Sequence, residues 1–149
     1  MPELPVVGDE FAGYLLRSVL GRGSMSVVYE ADHPRLGNGI ALKVLAAEVA
    51  ADGIFRTRFL AESRIAASMN EPHVIPVYDV GESDGLLYIA MRLVAGGDLR
   101  QRIATGGPMP PRTAVALLGQ AARALDAAHR LGLVHRDVKP ENLDRKSVV

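Results

Sequence analysis

Between Tyr14 and Met91 the chain alternates short β-type runs with tight-turn signals, and this pattern restricts the fold more than any other feature. Tyr14–Leu20 and Val27–Asp32 flank a glycine-containing turn, and Pro34–Gly39 ends in the Asn-Gly pair of a tight turn before a third run, Ile40–Leu45. Val77–Val80 and Leu86–Met91 are separated by Gly81-Glu82-Ser83-Asp84-Gly85, another hairpin signature. Hairpin turns join antiparallel neighbours, so this part is expected to be a small antiparallel sheet. One helix interrupts it, from an N-cap at Asp52 to about Met69. After Gly96-Gly97 the pattern turns helical: Asp98–Thr105, then a loop, then a long alanine-rich helix over Ala114–Arg130 with Pro111 in its first turn and Gly132 past its end. The fold class expected is α+β.

Composition removes several function classes. The 149 residues carry 17 basic and 17 acidic side chains and a net charge of zero, so no global basic field draws the chain to nucleic acid. Cysteine and tryptophan are absent, which excludes thiolate metal sites and disulfides and disfavours an aromatic base-stacking platform. No run approaches the ~18 apolar residues of a membrane helix. The first twenty residues contain Glu3, Asp9 and Glu10 and do not read as a secretory signal. A cytoplasmic chain is expected, with any membrane anchor lying beyond residue 149. Lysine occurs at only three positions, Lys43, Lys139 and Lys146.

Four constellations carry chemistry. Leu20-Gly21-Arg22-Gly23-Ser24-Met25-Ser26-Val27-Val28 lies between two strands, where glycines let backbone N–H groups approach a phosphate; a plain hairpin turn would use the same residues. A dinucleotide fold would need a helix after the glycines, and here a strand follows. Ile40-Ala41-Leu42-Lys43-Val44 places one of the scarce lysines in an apolar strand, either facing solvent or serving as a point charge for a phosphate oxygen. Phe55, Phe59, Glu62, Ala66 and Met69 recur at helical spacing. Glu62 is thereby expected within the packed stripe and paired with a cation, Lys43 being the candidate; a rotated helix would leave it at the boundary. Finally, Leu133–Leu143 gathers His135, Arg136, Asp137, Lys139, Glu141 and Asn142. A charged surface loop is the plain alternative. His129 and His135, six apart and without companions, do not make a metal site.

In this order and spacing the four resemble a eukaryotic-type protein kinase, most closely the bacterial serine/threonine kinases, over roughly Phe11 to Leu143. The resemblance implies a kinase-like fold with leader 1–12, an N-lobe and hinge over 13–94, and a partial helical C-lobe over 95–143. It implies ATP and Mg²⁺ as cofactors and protein Ser/Thr hydroxyls as acceptors. The loop Gly21, Arg22, Gly23, Ser24, Met25 and Ser26 would cover the phosphates. Lys43, held by Glu62, would contact them. Leu20, Val28, Ala41, Met91 and Val94 would line the adenine, with Met91 as gatekeeper and the Arg92–Val94 backbone as hinge. Asp137 would accept the substrate proton, Lys139 would neutralise the transferring phosphoryl, and Asn142 would bind Mg²⁺. Lys139 after Asp137 resembles the Ser/Thr branch. Arg136 resembles kinases ordered by activation-segment phosphorylation.

The sequence departs from that pattern in places. Ser26 stands where family loops carry a third glycine, and Arg92 where hinge acids are common. No Asp-Phe-Gly or Ala-Pro-Glu motif occurs within the 149 residues, and Asp144 falls where an apolar strand is expected. Residues 144–149 are expected to be non-native, since one reverse translation of Asp-Arg-Lys-Ser-Val-Val and a stop resembles read-through into a sequencing adapter. These 149 residues alone are expected to be inactive, with the Leu118, Ala121, Ala122, Leu125 and Ala128 stripe exposed. A non-catalytic nucleotide-binding module and a small-molecule phosphotransferase are the other readings.

Overall fold

The computed structural model describes residues 2–144. Six strands and four helices form in the order β1 (Glu10–Phe11), β2 (Tyr14–Arg22), β3 (Ser26–His33), β4 (Gly37–Leu45), α1 (Ala47–Ala50), α2 (Gly53–Ala67), β5 (Val77–Ser83), β6 (Leu86–Arg92), α3 (Leu99–Gly106) and α4 (Pro111–Arg130). A short 3-10 turn follows at Pro140–Asn142. The chain divides into two compact units. One comprises the chain up to Ser68 together with Pro76–Leu93; the other comprises Met69–Ile75 together with the chain from Val94.

The first unit is an antiparallel sheet in the order β1-β2-β3-β4-β6-β5, as the hairpin signals predict. In β4, Ile40, Leu42 and Val44 are fully buried; with Tyr14, Leu16, Val27, Tyr29, Ala31, Leu86, Tyr88 and Ala90 they form the core. Strand alternation sends Ala41 and Lys43 to the opposite face. The stretch before residue 13 contributes β1, buried Phe11, and the Pro5 carbonyl that accepts from Tyr29 Oη at 2.6 Å.

A polar cluster also sits beside this core. Asp79 Oδ2 accepts from Tyr88 Oη at 2.9 Å and Tyr14 Oη at 3.2 Å. β2 and β5 are not neighbours in the sheet, so this carboxylate ties together strands that the ladder keeps apart. The phenol of Tyr88 needs Gly81 nearby, because a Cβ there would lie 3.0 Å from its oxygen.

Helix α2 begins at its expected cap: Asp52 Oδ1 accepts from Ile54 N at 2.9 Å and Phe55 N at 3.1 Å. The expected stripe is covered only in part. Ser63 is its one buried residue, Phe55 is exposed, and Glu62 lies at the boundary. Phe59, Glu62 and Ala66 are half-buried around Ser63, so the later part of the expected stripe packs while its Phe55 end lies open.

In the second unit, α3 is capped by Asp98, whose Oδ1 accepts from Gln101 N at 2.8 Å. Pro111 occupies the first position of α4. No residue of α4 is buried; of the expected exposed stripe, Leu118 (59%) and Ala122 are exposed, while Ala121, Leu125 and Ala128 are half-buried. Among the described residues of this unit, Leu99 alone is buried. Residues 145–149 of the expected non-native tail lie outside the described residues. Asp144 forms an isolated antiparallel bridge with Asp98.

Candidate active site

The candidate residues fall into two groups, one in each unit. In the first, β4 is an inner strand flanked by β3 and β6. Its register sets Lys43 opposite Val28 on one side and Ile89 on the other, and Ala41 opposite Met91. Directly opposed residues share a face. Val28, Ala41, Lys43, Ile89 and Met91 therefore line the side of the sheet away from the Ile40–Leu42–Val44 core. Ala41 is buried there, while Val28, Lys43 and Met91 are half-buried. Small Ala41 between larger neighbours leaves a shallow apolar floor with one ammonium at its end.

The glycine-rich segment forms the β2–β3 connection. Gly21 pairs with Val28 and Arg22 with Val27, and exposed Leu20 falls at the irregularity between Val19 and Gly21. The turn closes through Gly23 N donating to Ser26 O at 2.8 Å. A Cβ on Gly21 would meet nothing within 4 Å, and one on Gly23 would meet the Ser26 hydroxyl at 3.5 Å. Ser26, at the third-glycine position, thus fills space beside Gly23. The tip is moored to the far end of β4: Ala46 N donates to Met25 O at 2.9 Å. Past β6, Arg92 N donates to Pro76 O at 3.0 Å and Leu93 N to Gly39 O at 2.8 Å. Val94 opens the second unit.

For Glu62 the structure records another contact. The expected partner was Lys43. The structure instead sets Glu62 Oε1 2.9 Å from Arg58 Nε, one turn earlier in α2, with the two side chains 42% and 52% exposed. Among the described residues no ion pair joins Lys43 to Glu62. Glu62 is only half-buried, and at that boundary a flexible arginine at i−4 reaches it.

The second group converges within one loop. Asp137 Oδ2 lies 3.1 Å from Lys139 Nζ, and Asn142 Nδ2 donates to Asp137 O at 2.8 Å and to Oδ2 at 3.3 Å. Asp137 N donates to His135 Nδ1 at 3.1 Å, and Arg136 takes a left-handed φ of 65° that turns the chain between them. The 3-10 turn brings Asn142 back toward Asp137, with Asn142 N donating to Lys139 O at 3.0 Å. Leu99 N donates to Leu143 O at 2.9 Å, and Arg100 meets Glu141 Oε1 at 2.6 Å, so the start of α3 anchors the end of the loop. The hydrogen bond from Lys139, with Asn142 and His135 adding to it, holds the Asp137 carboxyl below its usual range. It is ionised at neutral pH.

Among the described residues no cluster of three or more His, Cys, Asp or Glu could hold a metal by itself. Asn142 nevertheless fits the task expected of it. With its amide nitrogen committed to Asp137, its remaining donor is a hard carbonyl oxygen, the type Mg²⁺ takes when phosphates and water complete its shell.

This arrangement agrees with comparison to known proteins. The protein kinase domain family matches residues 14–145, and the chain belongs to that family. Its relatives include serine/threonine-protein kinases of mycobacteria. It is 48% identical over 137 residues to serine/threonine-protein kinase PknH of Mycobacterium tuberculosis, covering 92% of this chain and 22% of PknH. It is 47% identical over 136 residues to PknE of the same organism, covering 91% of this chain and 24% of PknE. The crystal structure of the M. tuberculosis PknI kinase domain superposes with a TM-score of 0.87 at 42% identity, over 97% of this chain and 60% of that one. The chain therefore spans under a quarter of the length of these curated relatives.

Sequence reasoning singled out neither Arg58, Arg100 nor Asp79. Arg58 was detectable, standing four residues before a glutamate on a helix. Arg100 and Asp79 act across 41 and 9 or more residues, with no local signal.

Proposed function

We propose that this chain carries part of the phosphoryl-transfer site of an ATP-dependent protein serine/threonine kinase. The observation that carries the reading is the convergence of Asp137, Lys139 and Asn142 within hydrogen-bond distance in one loop. Asp137 orients the acceptor hydroxyl of a protein Ser or Thr and receives its proton, which requires an ionised carboxylate. Lys139, already beside that carboxylate, balances charge on the transferring phosphoryl. Asn142 offers its carbonyl oxygen to Mg²⁺, which when bound neutralises the phosphates. In the first unit, Lys43 contacts phosphate oxygens, and the Gly21, Arg22, Gly23, Ser24, Met25 and Ser26 backbone covers them. Leu20, Val28, Ala41, Met91 and Val94 meet the adenine. With the Arg92 and Leu93 N–H groups engaged by Pro76 and Gly39, an N–H contact from the hinge falls to Val94. Glu62 serves as the partner of Lys43 in the competent arrangement. We assign the enzyme to the cytoplasm; among the described residues no helix is long and apolar enough to cross a membrane.

A second reading has its own support. Ser26 at a glycine position and the lack of an Asp-Phe-Gly motif in the 149 residues favour nucleotide binding without transfer for this stretch by itself. Two assays separate the readings. Titration with a fluorescent ATP analogue should show saturable binding lost in Lys43→Met; no binding overturns both readings. Incubation with labelled ATP, Mg²⁺ and a basic protein substrate should leave the 149 residues inactive and become productive when the domain is completed. Transfer by the 149 residues alone would overturn the expected inactivity.

A further inference from the structure

The end of the proposed catalytic loop is held from outside the loop, and the inference rests on the reading of Asp137 and Asn142 as members of a phosphoryl-transfer site. All the residues concerned belong to the second unit. Asn142 is the middle link. Its side-chain nitrogen donates to Asp137 O at 2.8 Å and to Oδ2 at 3.3 Å. Its neighbours on both sides are tied to the first turn of α3. Arg100 Nη1 donates to Glu141 Oε1 at 2.6 Å, and Leu99 N donates to Leu143 O at 2.9 Å. We propose that Arg100 is a positioning residue for the transfer site: its grip on Glu141 aims the Asn142 carboxamide at Asp137 and so presents the carbonyl oxygen to Mg²⁺.

The physical case separates the two tethers. Leu99 is the one buried residue among the described residues of this unit, so its backbone bond belongs to the packing that forms the unit. That bond fixes one point on the chain, at Leu143. A second tether on the other side of Asn142 fixes the direction of the Pro140–Asn142 turn as well. The Arg100 and Glu141 side chains are 71% and 34% exposed. A pair of this kind biases an equilibrium by up to about five-fold. That is too little to hold the unit together and enough to set how often Asn142 is aimed. Arg100 also keeps the Glu141 carboxylate occupied. Lys139 stands two residues before Glu141 and 3.1 Å from Asp137, and an unpaired Glu141 would offer that ammonium a second anion. The guanidinium suits the task because it stays charged and presents several donors in a fixed plane.

The chain offers a direct readout, because it holds only three asparagines and two glutamines. A ¹⁵N NMR spectrum therefore separates the Asn142 side-chain amide from the few others. In the 149-residue chain, Arg100→Gln should speed solvent exchange of that amide about two- to five-fold. Glu141→Gln should do the same, Arg100→Lys should recover most of the loss, and ~1 M salt should bring the unsubstituted chain toward the variants. The double variant should go no further than either single one, since both break one contact. Circular dichroism should show an unchanged fold and melting temperature. In a completed domain, Arg100→Gln should raise the Mg²⁺ concentration for half-maximal turnover about two- to five-fold and leave KM for the protein substrate unchanged. An unaltered Asn142 amide in Arg100→Gln overturns the proposal. So do additive losses in the double variant, or a loosened amide with no change in the Mg²⁺ requirement. Failure of the functional reading looks different. A completed, unsubstituted domain that transfers no phosphate removes Asp137 and Asn142 from their roles, whatever the amide does.

Discussion

Asp137 accepts from an ammonium and an amide N–H on one carboxylate, and a neutral acceptor in its place could not receive a proton. Asp137→Asn removes the proton acceptor while keeping shape. In a completed domain it should lower turnover by orders of magnitude and leave ATP affinity nearly unchanged, measured by steady-state kinetics beside nucleotide titration. A different carboxylate governs stability. Burial first, and the charge and hydrogen bond of Asp79 next, push Tyr14 up; burial, then the Asp79 hydrogen bond, push Tyr88 to about 12. In the unfolded chain both phenols ionise near their ordinary value of ~10. The unfolded state thus loses these protons first as pH rises. Stability should be intact below pH ~10 and decline from there toward pH ~12. Denaturant midpoints across that window should fall for the unsubstituted chain and fall less for Tyr88→Phe.

Among the elements, α2 shows what the sequence discloses and what it hides. Its start is legible because Asp52 works locally, accepting two N–H groups from the next three residues. Asp52→Ala should cost about 0.5–2 kcal/mol in chemical denaturation, with the loss centred on α2. How deeply its face packs is not local: Phe59, Glu62 and Ala66 of the expected stripe are half-buried around Ser63, while Phe55 stays exposed. The strands were legible through their turns, whose glycines at 37, 39 and 85 take left-handed backbone that other residues rarely adopt. β1 and α1 span two and four residues, too short to leave a periodic trace. The loop at Leu133–Leu143 was legible as a motif. Its anchoring by Leu99 and Arg100 was not, since those partners lie some forty residues away.

For the molecule as a whole, burial is uneven. The first unit holds the core, whereas the second unit buries Leu99 alone among its described residues. Val115 and Leu118 of α4 are 70% and 59% exposed. Apolar surface of this kind promotes self-association. Leu118→Glu should raise the concentration at which light scattering first grows, with little change in melting temperature. Unfolding should also depart from a single step, because opening free energy tracks local burial. That contrast decides what would survive digestion. A protease given the folded chain would trim the α3–α4 side first and leave a resistant remnant running to about Leu93, in which Asp79 still rivets β2 to the β5–β6 hairpin.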